Sequence, residues 1–209
     1  MFKLVIGDRN YSSWSLRPWL TIKQAGLPFT EIPIRLRDTG TKIEILKYSP
    51  SGKVPCLIDG ETTVWDSLAI CEYLAEIAPS LWPADRVARA EARAISAEMH
   101  SGFGGFRQSM PMEIHASKPY DGRTAEAASD IARIIAIWES CRERFAKEGP
   151  FLFGAFSIAD AMFAPVVWRF LTYAVELPAA SRAWVETMSA LPAMQEWRAG
   201  ALAEKAGVA

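Results

Sequence analysis

The stretch Ser51-Gly52-Lys53-Val54-Pro55-Cys56-Leu57-Ile58-Asp59-Gly60, followed a few residues on by Trp65-Asp66-Ser67-Leu68-Ala69-Ile70, decides how the rest of the chain is read. The apolar run after Gly52 reads as a strand, yet Pro55 has no N–H to give a ladder and marks that strand as an edge. The two agree if the sheet border stays open, with a bend at Val54-Pro55 that offers the Val54 backbone N–H and C=O to a peptide-like ligand. A cis Val54-Pro55 bond is expected at such a bend, because the cis form of an X-Pro bond costs only about 0.5–1 kcal/mol. Asp59-Gly60 signals a two-residue hairpin. Its return strand, Thr62 to Trp65, runs into Asp66-Ser67, where a helix opens and continues to Ala78. Free N–H groups and the positive dipole end at that helix start favour a bound carboxylate. A ligand with a peptide backbone at one end and an amino-acid carboxylate at the other suits both features.

These motifs resemble those of the glutathione S-transferase superfamily. In that family a Val–cis-Pro pair binds the cysteinyl backbone of glutathione, and an acid–Ser pair at a helix start binds its γ-glutamyl group. The resemblance gives those roles to Val54 with Pro55 and to Asp66 with Ser67.

At 209 residues the chain is long enough for one or two domains with a core of their own. Hydrophobic residues make up 50%, and the net charge of -1 supplies no field for nucleic acid or an anionic membrane, so a small partner is expected. Cys56, Cys71 and Cys141 show no metal spacing and read as buried, inert thiols in a reducing compartment. Residues 1–7 are too short for a secretory leader and read as a first strand, and a cytoplasmic location is expected.

In order along the chain, strand 2–6 leads to the serine cluster Ser12-Ser13-Trp14-Ser15. Ser15 as N-cap places Pro18 in the first turn of a helix that runs to Ala25, with Gly26 as its stop. Residues 29–36 alternate as a second strand, parallel to the first. A loop and short helical piece over 37–48 then deliver the chain to the edge strand. This β-α-β, β-β-α order is that of a thioredoxin-like domain over residues 1–78, as the resemblance also implies. Two prolines mark a linker at 79–85. Residues 86–209 read as an all-helical domain contributing the electrophile site, with helices from Arg86 to about Met99 and from Thr124 to Phe145. Gly102-Phe103-Gly104-Gly105-Phe106 interrupts between them. Ser157-Ile158-Ala159-Asp160 is a capping box ahead of an apolar run, similar to the one that opens the central C-terminal helix of glutathione transferases. Its expected role is folding alone.

Chemistry in that family begins with lowering the pKa of the glutathione thiol, since a free thiol near pKa 8.5 is mostly protonated at neutral pH. A hydroxyl donating to sulfur favours the thiolate. Ser12-Ser13-Trp14-Ser15-Leu16-Arg17 is similar to the Ser-Ser-Cys-Ser-x-Arg segment of the zeta class, whose first serine activates the thiol, and Ser12 takes that place. Ser13 is close enough to compete, and Tyr11 is the donor type of other classes. Trp14 stands where the zeta pattern has Cys, which speaks against the cis–trans isomerase activity of that class. Lys42 and Lys53 are the candidates to meet the glycyl carboxylate. Trp14, Phe103 and Arg107 are the candidates for the electrophile side, with Phe106, Met110 and Arg169 near them.

His100 and His115 have no partner spacing for a metal or a triad and are assigned no role. The resemblance implies a homodimeric detoxification enzyme that uses glutathione as co-substrate, without a metal, against a small electrophile. A glutathione-dependent isomerase or peroxidase, or a non-catalytic glutathione-binding or assembly module, are the alternatives.

Overall fold

The computed structural model describes residues 1–119 and 124–206. Strand β1 (Phe2–Gly7) leads through α1 (Ser13–Gln24) to β2 (Phe29–Ile34) and the short α2 (Thr41–Leu46). Then follow β3 (Cys56–Asp59), β4 (Thr62–Trp65) and α3 (Ser67–Ile77). The sheet order is β2-β1-β3-β4, with β1 parallel to β2 and β3 antiparallel to both of its neighbours. After a 3-10 turn at Pro79–Leu81 the chain is helical: α4 (Arg86–Ser101), α5 (Gly104–Ser109), α6 (Ala125–Phe145), α7 (Ile158–Thr172), α8 (Ala179–Ala190) and α9 (Pro192–Ala206). The expected class, a thioredoxin-like half followed by an all-helical one, is the class observed. Among the described residues no helix is long and apolar enough to cross a membrane.

Two expectations are corrected. The strand after Pro55 is central, paired with β1 on one side and β4 on the other, so no sheet border is open there. What lies free of the ladders is the bend ahead of it, because the pairing register begins at Cys56. The N-cap of α1 is Ser12, not Ser15, and Pro18 therefore sits inside the helix rather than in its first turn. The reason is a division of labour among hydroxyls: Ser12 Oγ accepts from the Ser15 N–H, while Ser15 Oγ accepts from the Gly7 N–H at the end of β1. Pro18 cannot supply the N–H that the Trp14 carbonyl receives in a regular helix.

Strand alternation divides the core. Leu4, Ile6 and Leu57 join the large apolar cluster shared with the helices. Val5, Ile34 and Cys56 point the other way and meet Ile45 of α2. Helix α1 packs against α3, α7 and α9, and its Leu16, Trp19, Leu20 and Ile22 are fully buried. The apolar α7 is the centre of the helical half, as its composition predicts, and Asp160 anchors its start. Asp160 Oδ2 accepts from Ser157 N at 2.9 Å and Ser157 Oγ at 3.1 Å. Its Oδ1 accepts from Leu152 N and Trp184 Nε1, each at 2.9 Å. Burial raises this carboxyl above its ordinary value, against the pull of those donors.

Candidate functional site

A cleft of about 510 Å³ opens where the start of α1, the bend before β3 and the β4–α3 junction converge, closed on one side by the last turn of α4. Each wall has a local cause. The bend carries Ser51, Lys53, Val54 and Pro55, and the Val54-Pro55 bond is cis. Gly52 turns the chain into it at φ 65°, a left-handed value that glycine adopts without steric cost.

Facing the bend, Asp66 caps α3: its Oδ1 accepts from Leu68 N at 2.9 Å and Ala69 N at 3.2 Å. Asp66 has φ 75°, a sparsely populated region for a side-chain-bearing residue, and such outliers gather at ligand sites. Ser67 follows as the first helical residue and also lines the cleft. Its Oγ is buried and has no hydrogen-bond partner among the described residues. A buried hydroxyl left unpaired costs about 1–3 kcal/mol, so an orphan at the mouth of a helix marks a place where a ligand group would restore the bond.

His100, on the last turn of α4, completes the cleft. Its Nε2 lies 3.1 Å from Asp66 Oδ2, and its ring meets Trp14 edge-on with centroids 5.3 Å apart. The Trp14 ring also lies against two guanidinium groups, with Arg17 Cζ 4.4 Å and Arg107 Cζ 4.8 Å from its centroid. Arg17 is fully buried; its Nη2 reaches Met99 O at 3.5 Å, while Nε and Nη1 have no partner among the described residues. Burial, with Arg107 and Arg169 nearby, holds the Arg17 pKa well below its ordinary value.

Of the residues singled out from sequence, Trp14, Lys53, Val54, Asp66 and Ser67 meet around this one cleft. The others stand back from its lining. Ser12 is buried ahead of α1 and donates its O–H to Ser15 Oγ at 2.7 Å. Ser13 Oγ accepts from Arg169 Nη2 at 3.4 Å. Tyr11 lies under the Arg37 guanidinium, 3.9 Å from Cζ to ring centroid, and borders a separate cavity. Lys42 is exposed on α2 with its stem running beside Gly52. Phe103 is buried in the main core at the break between α4 and α5, with φ 62°. Arg107 ties α5 to the end of α4, donating to Gly102 O at 2.9 Å and to the carbonyl of Met99.

Sequence assigned His100 no role, and gave none to Ser51 and Trp65 although both stand in the stretch that decides the fold, yet all three line the cleft. His100 in particular carries no local signal, because it reaches Asp66 only through the packing of α4 beside α3. Among the described residues no group of three or more His, Cys, Asp or Glu is placed to hold a metal ion.

Comparison with known proteins bears on this geometry. The family model for the glutathione S-transferase N-terminal domain matches residues 11–77, and the model for the glutathione S-transferase C-terminal domain matches residues 121–200. A probable maleylacetoacetate isomerase from Caenorhabditis elegans is 33% identical over 97 residues, 46% of this chain and 44% of that protein. A zeta class glutathione S-transferase from Euphorbia esula is 39% identical over 77 residues, 35% of this chain and 34% of that protein. The chain thus spans less than half the length of these relatives in the regions that match. Among solved structures, an epsilon-class glutathione S-transferase from the housefly, Musca domestica, superposes with a TM-score of 0.74 at 25% identity, covering 100% of this chain and 97% of that one. A theta class glutathione S-transferase from Xanthomonas axonopodis pv. citri, with glutathione bound, gives a TM-score of 0.68 at 24% identity and covers 93% and 95%.

Proposed function

Because the chain belongs to the glutathione S-transferase superfamily, we propose that its cleft binds glutathione and presents the thiol, as thiolate, to a small electrophile. The observation that carries the reading is the orphaned Ser67 Oγ beside the capping carboxylate of Asp66, at the N-terminus of α3 and across from Val54.

In this reading the γ-glutamyl carboxylate takes the Ser67 hydroxyl and the amide mouth of α3, where the dipole favours an anion. The ammonium of the same residue meets Asp66 Oδ2, since Oδ1 is already spent on the helix cap. The cysteinyl backbone pairs with Val54, which stands outside both ladders. Lys53, on the cleft wall, and Lys42 behind it supply the cation for the glycyl carboxylate. Ser12 donates to sulfur, which requires its O–H to turn away from Ser15 Oγ. Each pKa unit taken off the thiol corresponds to about 1.36 kcal/mol of preference for the thiolate. The electrophile enters from the Trp14 side, with Arg107 against that ring and Phe103 in the core at the α4–α5 break. The same reading has the enzyme in the cytoplasm as a homodimer, and the exposed Ile77 on α3 and Val87 on α4 supply apolar surface for a second copy.

A second reading, a binding module without turnover, is favoured by one observation: the Ser12 proton is committed to Ser15 in a closed pair of hydroxyls. Titrating the thiolate absorbance of bound glutathione against pH separates the two. A midpoint well under the free thiol value supports catalysis, an unshifted midpoint supports the module, and absence of glutathione binding removes both. Assays with conjugation, isomerisation and peroxide substrates then divide the transferase from the isomerase and peroxidase.

A further inference from the structure

The His100–Asp66 contact goes beyond the roles given to the cleft so far. We propose that His100 is a positioning residue whose neutral imidazole rests against Asp66 Oδ2 and leaves that oxygen open to a ligand ammonium, so that protonation of His100, which turns the contact into an ion pair, excludes the amine. This rests on the reading of the cleft as a glutathione site.

Electrostatics assigns the tautomer. Nε2 lies 3.1 Å from a carboxylate oxygen, where a ring lone pair would be repelled, so the neutral ring carries its proton on Nε2 and its lone pair on Nδ1. Nδ1 is buried and has no partner among the described residues. A second proton there would be a buried N–H with no acceptor, an expensive state. The charges around the ring agree: Asp66 faces it from α3, Arg17 from α1 and Arg107 from α5, while Trp14 covers it edge-on and Lys53 shares the cleft. Burial sets the imidazole below its ordinary pKa; Asp66 pulls it up, and Arg17 and Arg107 push it down.

The consequence is competition for one carboxylate. Oδ1 is fixed by the α3 amides, so Oδ2 is the oxygen left for recognition, and a neutral imidazole beside it leaves it free to accept from an ammonium. An imidazolium at the same place neutralises Asp66 and repels the ammonium. By linkage the bound amine also disfavours protonation of His100 by the same factor.

The test uses S-methylglutathione, which has the amine but no titrating thiol, and follows its dissociation constant by calorimetry from about pH 8 to about pH 5. The expected wild-type constant rises severalfold towards the acid end of that range, as His100 takes up its proton below its ordinary pKa. His100→Gln keeps an N–H donor but cannot ionise, and its profile is expected to lack this slope. The N-acetylated ligand, which has no ammonium, is expected to lack it too.

A flat wild-type profile overturns the proposal, as does a slope that persists unchanged in His100→Gln. A purely structural role for His100 would lower the affinity equally at every pH and leave the slope in place. If the wild-type protein does not bind S-methylglutathione at any pH, the glutathione reading itself fails, an outcome distinct from a flat profile.

Discussion

The hydroxyl of Ser12 donates to Oγ of Ser15 at 2.7 Å, and Ser15 Oγ in turn accepts from the N–H of Gly7. The residue assigned to the thiol is thereby wired to the end of β1, which fixes its place at the start of α1. Ser12→Ala should raise the midpoint of bound-thiol ionisation by about one unit. It should lower turnover about ten- to a hundredfold with little change in glutathione affinity. Ultraviolet titration and steady-state kinetics check both, and a shift produced by Ser13→Ala instead would move the role to Ser13.

Asp66 has two separable jobs. Asp66→Asn keeps an oxygen for the Leu68 and Ala69 amides but loses the charge, so stability should hold while glutathione affinity falls tenfold or more, by about 1.4 kcal/mol at least. Asp66→Ala should lose the affinity and about 1 kcal/mol of stability together. Calorimetry and thermal melting, run in parallel, read the two effects apart.

Arg17 is a buried guanidinium whose Nε and Nη1 meet no acceptor among the described residues. Removing such a charge for a hydrophobic side chain of similar volume relieves desolvation, so Arg17→Met should leave stability unchanged or raise it by about 1–2 kcal/mol despite losing its stack on Trp14. Denaturant unfolding measures this. A loss greater than about 3 kcal/mol would mean that the charge is compensated and that the argument from its unpaired nitrogens is wrong.

Burial pushes the thiols of Cys71 and Cys141 up to about 12 and moves that of Cys56 upward as well. Since the thiolate is the reactive species, only about one Cys71 or Cys141 thiol in ten thousand is ionised at pH 8. An aromatic disulfide reagent at that pH should titrate no thiol in the native protein and all three in denaturant. Rapid labelling of the folded chain would contradict the packing described.

What sequence made legible was what local chemistry decides. Val54-Pro55, Asp66-Ser67 at a helix start, and Ser157 with Asp160 each announce themselves within a few residues and are found where expected, whereas the hairpin signalled by Asp59-Gly60 turns one residue later, through Gly60-Glu61, with Asp59 paired to Thr62. The errors came from partners far along the chain. Ser12, Ser13 and Ser15 are equally good caps in isolation, and the tie is broken by the Gly7 amide, which claims Ser15. The strand after Pro55 looked like a border because proline is excluded from ladders, but its pairing with β1 starts one residue later, at Cys56. His100 meets Asp66 through helix packing, for which a single sequence holds no periodic or spacing signal.

One apolar cluster takes Leu4 and Ile6 from the sheet, Trp19 from α1, and Phe163 and Phe170 from α7 into a common interior. The two halves are therefore not separable bodies joined by a tether. Heating should give a single cooperative transition rather than two, and a fragment ending before α4 would turn the outer side of α1 to water and fail to hold its shape. The cleft, whose walls are drawn from both halves, would vanish in that same event.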